Sequence, residues 1–272
     1  MTSACREVLD EGRATSIDSR TPRSGASGTI SAVHTGGVLT AATEALLPGL
    51  CPHCDQPLPG GDRGLCGMCW ASMVPRAGTA CPRCGTPTDE SSEECLQCTQ
   101  EPPPQRATVI WGEHDGVLRT VVVSLKHRGR DDFAHPLGIR LAATISAQRW
   151  VQSIDVISAV PSHSLRRMRR PWTASELLAK EVARLLALPV AGLLKRHGLR
   201  RQTGRSRARR LELPGSSFSA TRKAHSLCVL LIDDVTTTGT TIRRAAQALV
   251  HAGAKHVYCA VAAYAPDPRR FQ

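Results

Sequence analysis

Apolar and polar positions alternate along this chain in two rhythms, and the sharpest change from one to the other lies near its C-terminal end. Residues 228–232 form an unbroken apolar run bounded by turn residues, the pattern of a short strand buried on both faces of a parallel sheet. Beyond a turn, Ile242, Ala245, Ala246, Leu249 and Val250 share one helical stripe while Arg243, Arg244 and Gln247 occupy the opposite one, which predicts a helix over 241–252. A helix stop at Gly253 precedes a second apolar strand over 256–263. Upstream, 134–150 reads as a helix and 154–160 as a strand closed by Pro161. Thr173-Ala174-Ser175-Glu176 is a capping box opening a helix through Leu186, with Leu177, Leu178, Val182 and Leu185 inward. Asp115 can cap a helix over 116–127, although Val121-Val122-Val123 leaves a strand open. Strands alternating with helices predict an α/β fold with a doubly wound parallel sheet, whose ligands gather beyond the strand C-termini.

The N-terminal third follows neither rhythm. Residues 1–45 are rich in Ser, Thr, Gly and Ala without sustained periodicity, so a disordered tail is expected, with patterned sequence beginning only near Val38 and translation expected to start near there. No run approaches the ~20 apolar residues of a membrane span, and the start lacks the order of a secretory signal. A cytoplasmic protein without membrane insertion is the expectation. Glu101-Pro102-Pro103-Pro104-Gln105 is a stiff connector, dividing a small module at 46–100 from a larger domain at 106–272. With only 3% aromatic residues, the larger core must be built mostly from Leu, Val, Ile and Ala.

The small module is defined by cysteine. Cys51/Cys54, Cys66/Cys69, Cys81/Cys84 and Cys95/Cys98 all have the C-x-x-C spacing. Two thiolates so spaced form a knuckle that holds one side of a tetrahedral metal, and two knuckles complete a closed four-cysteine site. The intervals predict two zinc ribbons, Cys51, Cys54, Cys66 and Cys69 in one and Cys81, Cys84, Cys95 and Cys98 in the other, with interleaved pairing left open. A disulfide framework or a redox dithiol is the competing reading, disfavoured without a secretory signal. Four thiolates leave no open position, so the Zn²⁺ is expected to be structural. Cys228 and Cys259 lie in apolar strands and read as small buried hydrophobes.

The candidate chemistry sits where the strand at 228–232 meets the helix after it. Asp233 and Asp234 follow the apolar run, and Thr236, Thr237, Thr238, Gly239, Thr240 and Thr241 complete the junction. Backbone N–H groups of such a turn point with the helix N-terminus toward one place, where 237–241 can hold a phosphate. The acceptor-only carboxylates suit sugar hydroxyls, or Mg²⁺ shared with a diphosphate. These residues resemble the phosphoribosyl pyrophosphate motif of type I phosphoribosyltransferases, which implies acids on the ribose hydroxyls and a loop on the 5′-phosphate. Paired acids after a strand also occur in other folds, and threonine-rich turns can be simple caps.

Charge adds a partner class. The formal net charge is +12. Arg and Lys crowd 166–210, opposed only by Glu176 and Glu181, an imbalance that favours polyanions. A diphosphate and a nucleic-acid backbone both reward it, and a solvated basic face is the bland alternative. Arg166, Arg169 and Arg170 follow the turn at Pro161 and are candidates for the pyrophosphate end of the substrate, with Lys126 a weaker one. The basic, apolar-poor stretch 195–217 reads as a flap.

Taken together, 46–264 resembles the ComF family of competence-associated phosphoribosyltransferase-like proteins. The match runs through Leu46-Leu47-Pro48, Leu125-Lys126-His127-Arg128-Gly129, Ala159-Val160-Pro161-Ser162-His163, Glu176-Leu177-Leu178-Ala179, Gln202-Thr203-Gly204 and the junction at 233–241. The cysteine module ahead of a phosphoribosyltransferase domain is its specific part. The resemblance implies transfer of a phosphoribosyl group from Mg²⁺-bound phosphoribosyl pyrophosphate to an unidentified acceptor, and a link to DNA uptake in natural transformation. A non-catalytic adaptor is the rival it implies, sensing the ligand while engaging single-stranded DNA, a competence helicase or other DNA-processing proteins. The family's Arg-Gly-Phe-Asn-Gln is here Arg170-Pro171-Trp172-Thr173-Ala174, which removes two polar side chains from the region expected to meet the acceptor.

Overall fold

A computed structural model describes residues 49–59, 64–88, 94–162, 172–197 and 217–266. All lie in one compact unit, Glu44–Gln272; the other unit, Met1–Thr43, is outside the described residues, as is the proposed start near Val38. The elements in order are α1 (Gly67–Ser72), α2 (Leu96–Gln100), β1 (Ala107–Glu113), α3 (Gly116–His127), α4 (Ala134–Ser146), β2 (Val156–Ala159), α5 (Ala174–Leu186), β3 (Leu194–Arg196), β4 (Phe218–Ala220), β5 (Cys228–Thr236), α6 (Thr240–His251) and β6 (His256–Tyr264).

Four strands form a parallel sheet in the order β1-β6-β5-β2. β5 is central and covered on both sides, which is why its sequence is an apolar run rather than an alternation. Its residues still divide by parity. Leu230 and Ile232 pack with α3, α4 and α5 on one face, whereas Val229 and Leu231 pack with α6 and the β3–β4 hairpin on the other. Cys228 and Cys259 are buried in their strands, as read from the sequence. Both sheet edges are covered. Along β1, Arg76 N–H donates to the Trp111 carbonyl at 2.7 Å and Thr108 N–H to the Pro82 carbonyl at 2.8 Å. Along β2, Ile157 N–H donates to the Pro189 carbonyl at 2.9 Å. The cysteine module thus occupies an edge strand's open hydrogen-bonding positions.

The two cysteine segments share one local design. Cys51 N–H donates to Gln56 and Asp55 N–H returns to Cys51; Cys81 N–H donates to Thr86 and Gly85 N–H returns to Cys81. The residue after each first knuckle is left-handed, Asp55 at φ 57° and Gly85 at φ 75°. The second position favours glycine on two counts, its left-handed backbone and a Cβ that would lie 2.7 Å from Ile110 Cδ1 on β1 and force that side chain to shift.

Several sequence expectations shift. The helix expected to reach Trp150 ends at Ser146 and gives way to a 3-10 turn at Arg149–Ser153. Val121, Val122 and Val123 lie within helix α3, whose N-cap is Asp115. Leu185 is exposed, because the buried stripe of α5 is centred on Leu178, Ala179, Val182 and Ala183. β1 went unread in the sequence. β5 does not stop at Ile232 but continues through both aspartates to Thr236. Most of the expected flap, including Gln202-Thr203-Gly204, is outside the described residues.

Candidate functional site

The C-terminal end of β5 opens into a cavity of about 220 Å³, lined among the described residues by Lys126, Val160, Pro161, Ser162, Trp172, Thr173, Ala174, Ser175, Arg196, Asp233, Asp234, Val235 and Thr241. Four chain segments meet there because all end or begin at this edge of the sheet: β5, the turn after β2, the start of α5 and the end of α3. Acids at the end of a strand are ordinarily exposed to water. Asp233 and Asp234 are instead only 7% and 5% exposed, since β6 continues beside them, pairing Asp233 with Val261 and Thr236 with Tyr264.

Each carboxylate has its own partners. Ser175 Oγ donates to Asp233 Oδ1 at 2.8 Å, and the Asp234 N–H donates to the same oxygen at 2.9 Å. Lys126 Nζ donates to Asp234 Oδ1 at 3.0 Å, and Val235 N–H reaches that oxygen at 2.8 Å. Burial, then the charge of Asp234, pushes the Asp233 carboxyl up to about 7. His114 is held below its ordinary value first by burial and then by the charges of Arg119 and Lys126.

The threonine-rich turn joins the end of β5 to the start of α6. Gly239 takes φ 71° and caps the 12-residue helix α6 without a side-chain bond, while the first helical N–H, that of Thr240, reaches Thr238 Oγ1 at 3.5 Å. Thr238 Oγ1 and Thr240 Oγ1 lie 2.8 Å apart. Thr237, Thr238 and Thr240 are exposed and Gly239 half-buried, whereas Thr236 is buried at the end of β5. Of the predicted site residues, Lys126, Asp233, Asp234 and Thr241 share the cavity wall and 236–240 do not line it. Arg166, Arg169 and Arg170 are outside the described residues.

Ser175, Trp172 and Arg196 were not singled out as site residues from sequence. A legible signal existed for the first two. Trp172 precedes the capping box and Ser175 lies within it, the box being closed by Thr173 Oγ1 accepting from Glu176 N–H and Glu176 accepting from Thr173 N–H. The next helix in the chain after a parallel strand begins at the ligand-facing end of the sheet.

The cysteines form two sets, Cys51, Cys54, Cys66 and Cys69, and Cys81, Cys84, Cys95 and Cys98, with the sulphurs of each within 4.8 Å of one another. This excludes the interleaved pairing. Cys54 and Cys66 Sγ are 3.6 Å apart, and Cys84 and Cys95 Sγ 3.7 Å; two sulphurs on a tetrahedral Zn²⁺ with ~2.3 Å bonds are about 3.8 Å apart. Burial works to raise the first thiol of each set. Backbone N–H donors outweigh it, bringing Cys51 down to about 6 and Cys81 to about 7. The last thiols, Cys69 and Cys98, are pushed up by burial and neighbouring sulphurs. The donor chemistry fits a structural Zn²⁺ in each set.

Fold and site together define a double zinc ribbon joined to a phosphoribosyltransferase-like domain, and family models agree: a double zinc ribbon domain matches 42–99 and a phosphoribosyl transferase domain matches 171–272. The DNA utilization protein YhgH of Salmonella typhimurium is 32% identical over 225 residues, 78% of this chain and 95% of that protein. Competence protein F of Haemophilus influenzae is 24% identical over 215 residues, covering 76% and 93%. The chain belongs to the ComF family. Among solved structures, the glutamine phosphoribosylpyrophosphate amidotransferase of B. subtilis is 23% identical, covering 52% of this chain and 30% of that one at a TM-score of 0.38. No helix among the described residues is long and apolar enough to cross a membrane.

Proposed function

We propose that the cavity binds phosphoribosyl pyrophosphate with Mg²⁺ and that the protein transfers the phosphoribosyl group to an acceptor, in the service of DNA use in the cytoplasm. The observation that carries this reading is the presence of Asp233, Asp234 and Thr241 on one cavity wall. Carboxyl groups beside a helix N-terminus offer the division of labour that a phosphorylated sugar needs. Asp233 and Asp234 accept the ribose hydroxyls, and the turn with Thr236, Thr237, Thr238, Gly239, Thr240 and Thr241 receives the 5′-phosphate. Arg166, Arg169 and Arg170 meet the pyrophosphate, and Lys126 adds a cation at the same cavity.

Mg²⁺ would supply charge neutralisation at the diphosphate. In the transfer, the acceptor's lone pair forms a bond to the anomeric carbon as the bond from that carbon to pyrophosphate breaks. Pyrophosphate leaves with the bonding electrons, and the acceptor's proton passes to solvent. The names of the relatives, DNA utilization protein and competence protein, support a role linked to DNA. The net charge of +12 supports an anionic partner, single-stranded DNA or a protein complex that processes it.

Calorimetric titration of the zinc-loaded protein with Mg²⁺ and phosphoribosyl pyrophosphate tests the reading, followed by pyrophosphate release with nucleobases, amines and oligonucleotides. Saturable binding that disappears when both aspartates become asparagine is expected. No binding by the wild type ends the reading; binding without release for any acceptor reduces it to a ligand sensor.

A further inference from the structure

Aromatic residues are scarce in this chain, and the structure commits nearly all the tryptophans to packing. Trp111 is buried at 5% exposure. Trp70 packs edge-on against Phe133, with the Arg140 guanidinium 5.0 Å from its ring centre. Trp150 stacks on Tyr258 at 4.6 Å. Trp172 alone of the four is largely open, 47% exposed, and it forms part of the wall of the cavity that holds Asp233 and Asp234.

Its position is fixed from two sides. The capping box closes on the next residue, Thr173, so the backbone leaving Trp172 is anchored to the first turn of α5. Lys180, which does not line the cavity, sets its ammonium 3.0 Å from the indole ring centre. A cation held against a ring restrains its orientation, and Trp172 itself forms part of the cavity wall. Thr173, Ser162 and Arg196 on the same wall offer hydroxyl and guanidinium groups to the polar edge of a flat guest.

We infer that Trp172 is the stacking platform of the acceptor side of the cavity, and that the group it receives is a planar heteroaromatic base, free or carried on a single nucleic-acid strand. A flat guest can cover the ring's exposed face at the wall of a cavity that also carries several polar groups. A base does so through its π-face whatever its identity, while the backbone of a strand finds a basic surface. This rests on the cavity being the phosphoribosyl site proposed above.

The test compares wild type, Trp172→Ala and Trp172→Phe in their zinc-loaded form. Free adenine, a short single-stranded oligonucleotide and the same oligonucleotide without bases are each titrated with and without Mg²⁺ and phosphoribosyl pyrophosphate. The base-bearing ligands are expected to bind about tenfold or more weakly to Trp172→Ala, with most affinity restored in Trp172→Phe and no such difference for the abasic strand. A response to adenine alone assigns a free base, and one to the oligonucleotide alone assigns a strand. The inference is overturned if no base-bearing ligand binds the wild type, if Trp172→Ala binds them as well as wild type does, or if the abasic strand is weakened equally. Phosphoribosyl pyrophosphate binding by the wild type, measured alongside, separates the outcomes: its failure sinks the site assignment, whereas failure of the base arm alone sinks only the stacking role.

Discussion

Lys126 and Asp234, 108 residues apart in the chain, meet at 3.0 Å with the carboxylate side chain only 7% exposed and the lysine 32%. The pair is the main electrostatic link between α3 and the end of β5. Lys126→Met leaves a buried charge without its cation, a larger loss than the pair's net worth. With the lysine a third exposed, water offsets part of it. A destabilisation of about 1–2 kcal/mol is expected in urea unfolding at pH 8, largely absent in Lys126→Arg, together with weaker binding of phosphoribosyl pyrophosphate.

Asp233 sets a pH dependence. Its carboxyl is pushed up to about 7 in the folded protein by burial and by Asp234, so the fold holds this proton more tightly than the unfolded chain does. The stabilisation is complete below the ordinary carboxylate range and is lost as pH rises from about 4 to about 7. Asp233→Asn keeps an oxygen for Ser175 and the Asp234 N–H and removes the buried charge. It should melt higher than wild type at pH 8, by roughly 2–4 °C for each kcal/mol recovered, and bind ligand worse. A wild-type melting temperature that climbs between pH 4 and 7 would contradict this account.

The two ribbons should respond differently to metal loss. Cys51, Leu58, Leu65, Cys69 and Met73 share a core with Leu118, Val121 and Val122 of α3, and His53 Nδ1 lies 3.0 Å from Thr120 Oγ1 on the same helix. The second ribbon instead lies along β1 through Arg76, Pro82 and Arg83. Cys69→Ser should release metal, lower the melting temperature of the whole domain and speed amide exchange in α3. Cys98→Ser should release metal with faster exchange confined mainly to 76–88 and 94–100. Metal analysis with exchange mass spectrometry distinguishes this from two equivalent ribbons.

Helix contact also supports the site at a distance. A Cβ on Gly138 of α4 would lie 2.7 Å from Glu181 Cβ on α5, an atom that cannot rotate away. Gly138→Ala is therefore expected to cost about 1–3 kcal/mol by overpacking and to displace the helix whose first turn carries Ser175. Thermal unfolding and ligand titration should both report it; wild-type values for both would mean that the helices part without strain.

Much of this was legible beforehand, and the exceptions have local causes. α3, α5 and α6 show because amphipathic stripes and caps are short-range features. β1, with the sequence Ala-Thr-Val-Ile-Trp-Gly-Glu, carries neither a clean alternation nor a full apolar run, since the cysteine module covers its outer edge and only one side meets another strand. Leu185 fits the helical stripe by spacing, yet α5 turns its narrower face of Leu178 and Val182 to the core.

By itself the chain's order of residues determined the four thiol knuckles and the descent from apolar strand through two acids into a glycine and threonine turn, because neighbouring residues dictate local backbone geometry whatever surrounds them. Only the tertiary structure decided which knuckles share an ion, that the acids lie inside the strand's paired length and out of water, that Ser175 and Lys126 are their partners, and that one tryptophan is left at the cavity. Those relations join segments far apart in sequence. They follow from strand order and from how helices pack on the sheet, which no spacing along the chain encodes.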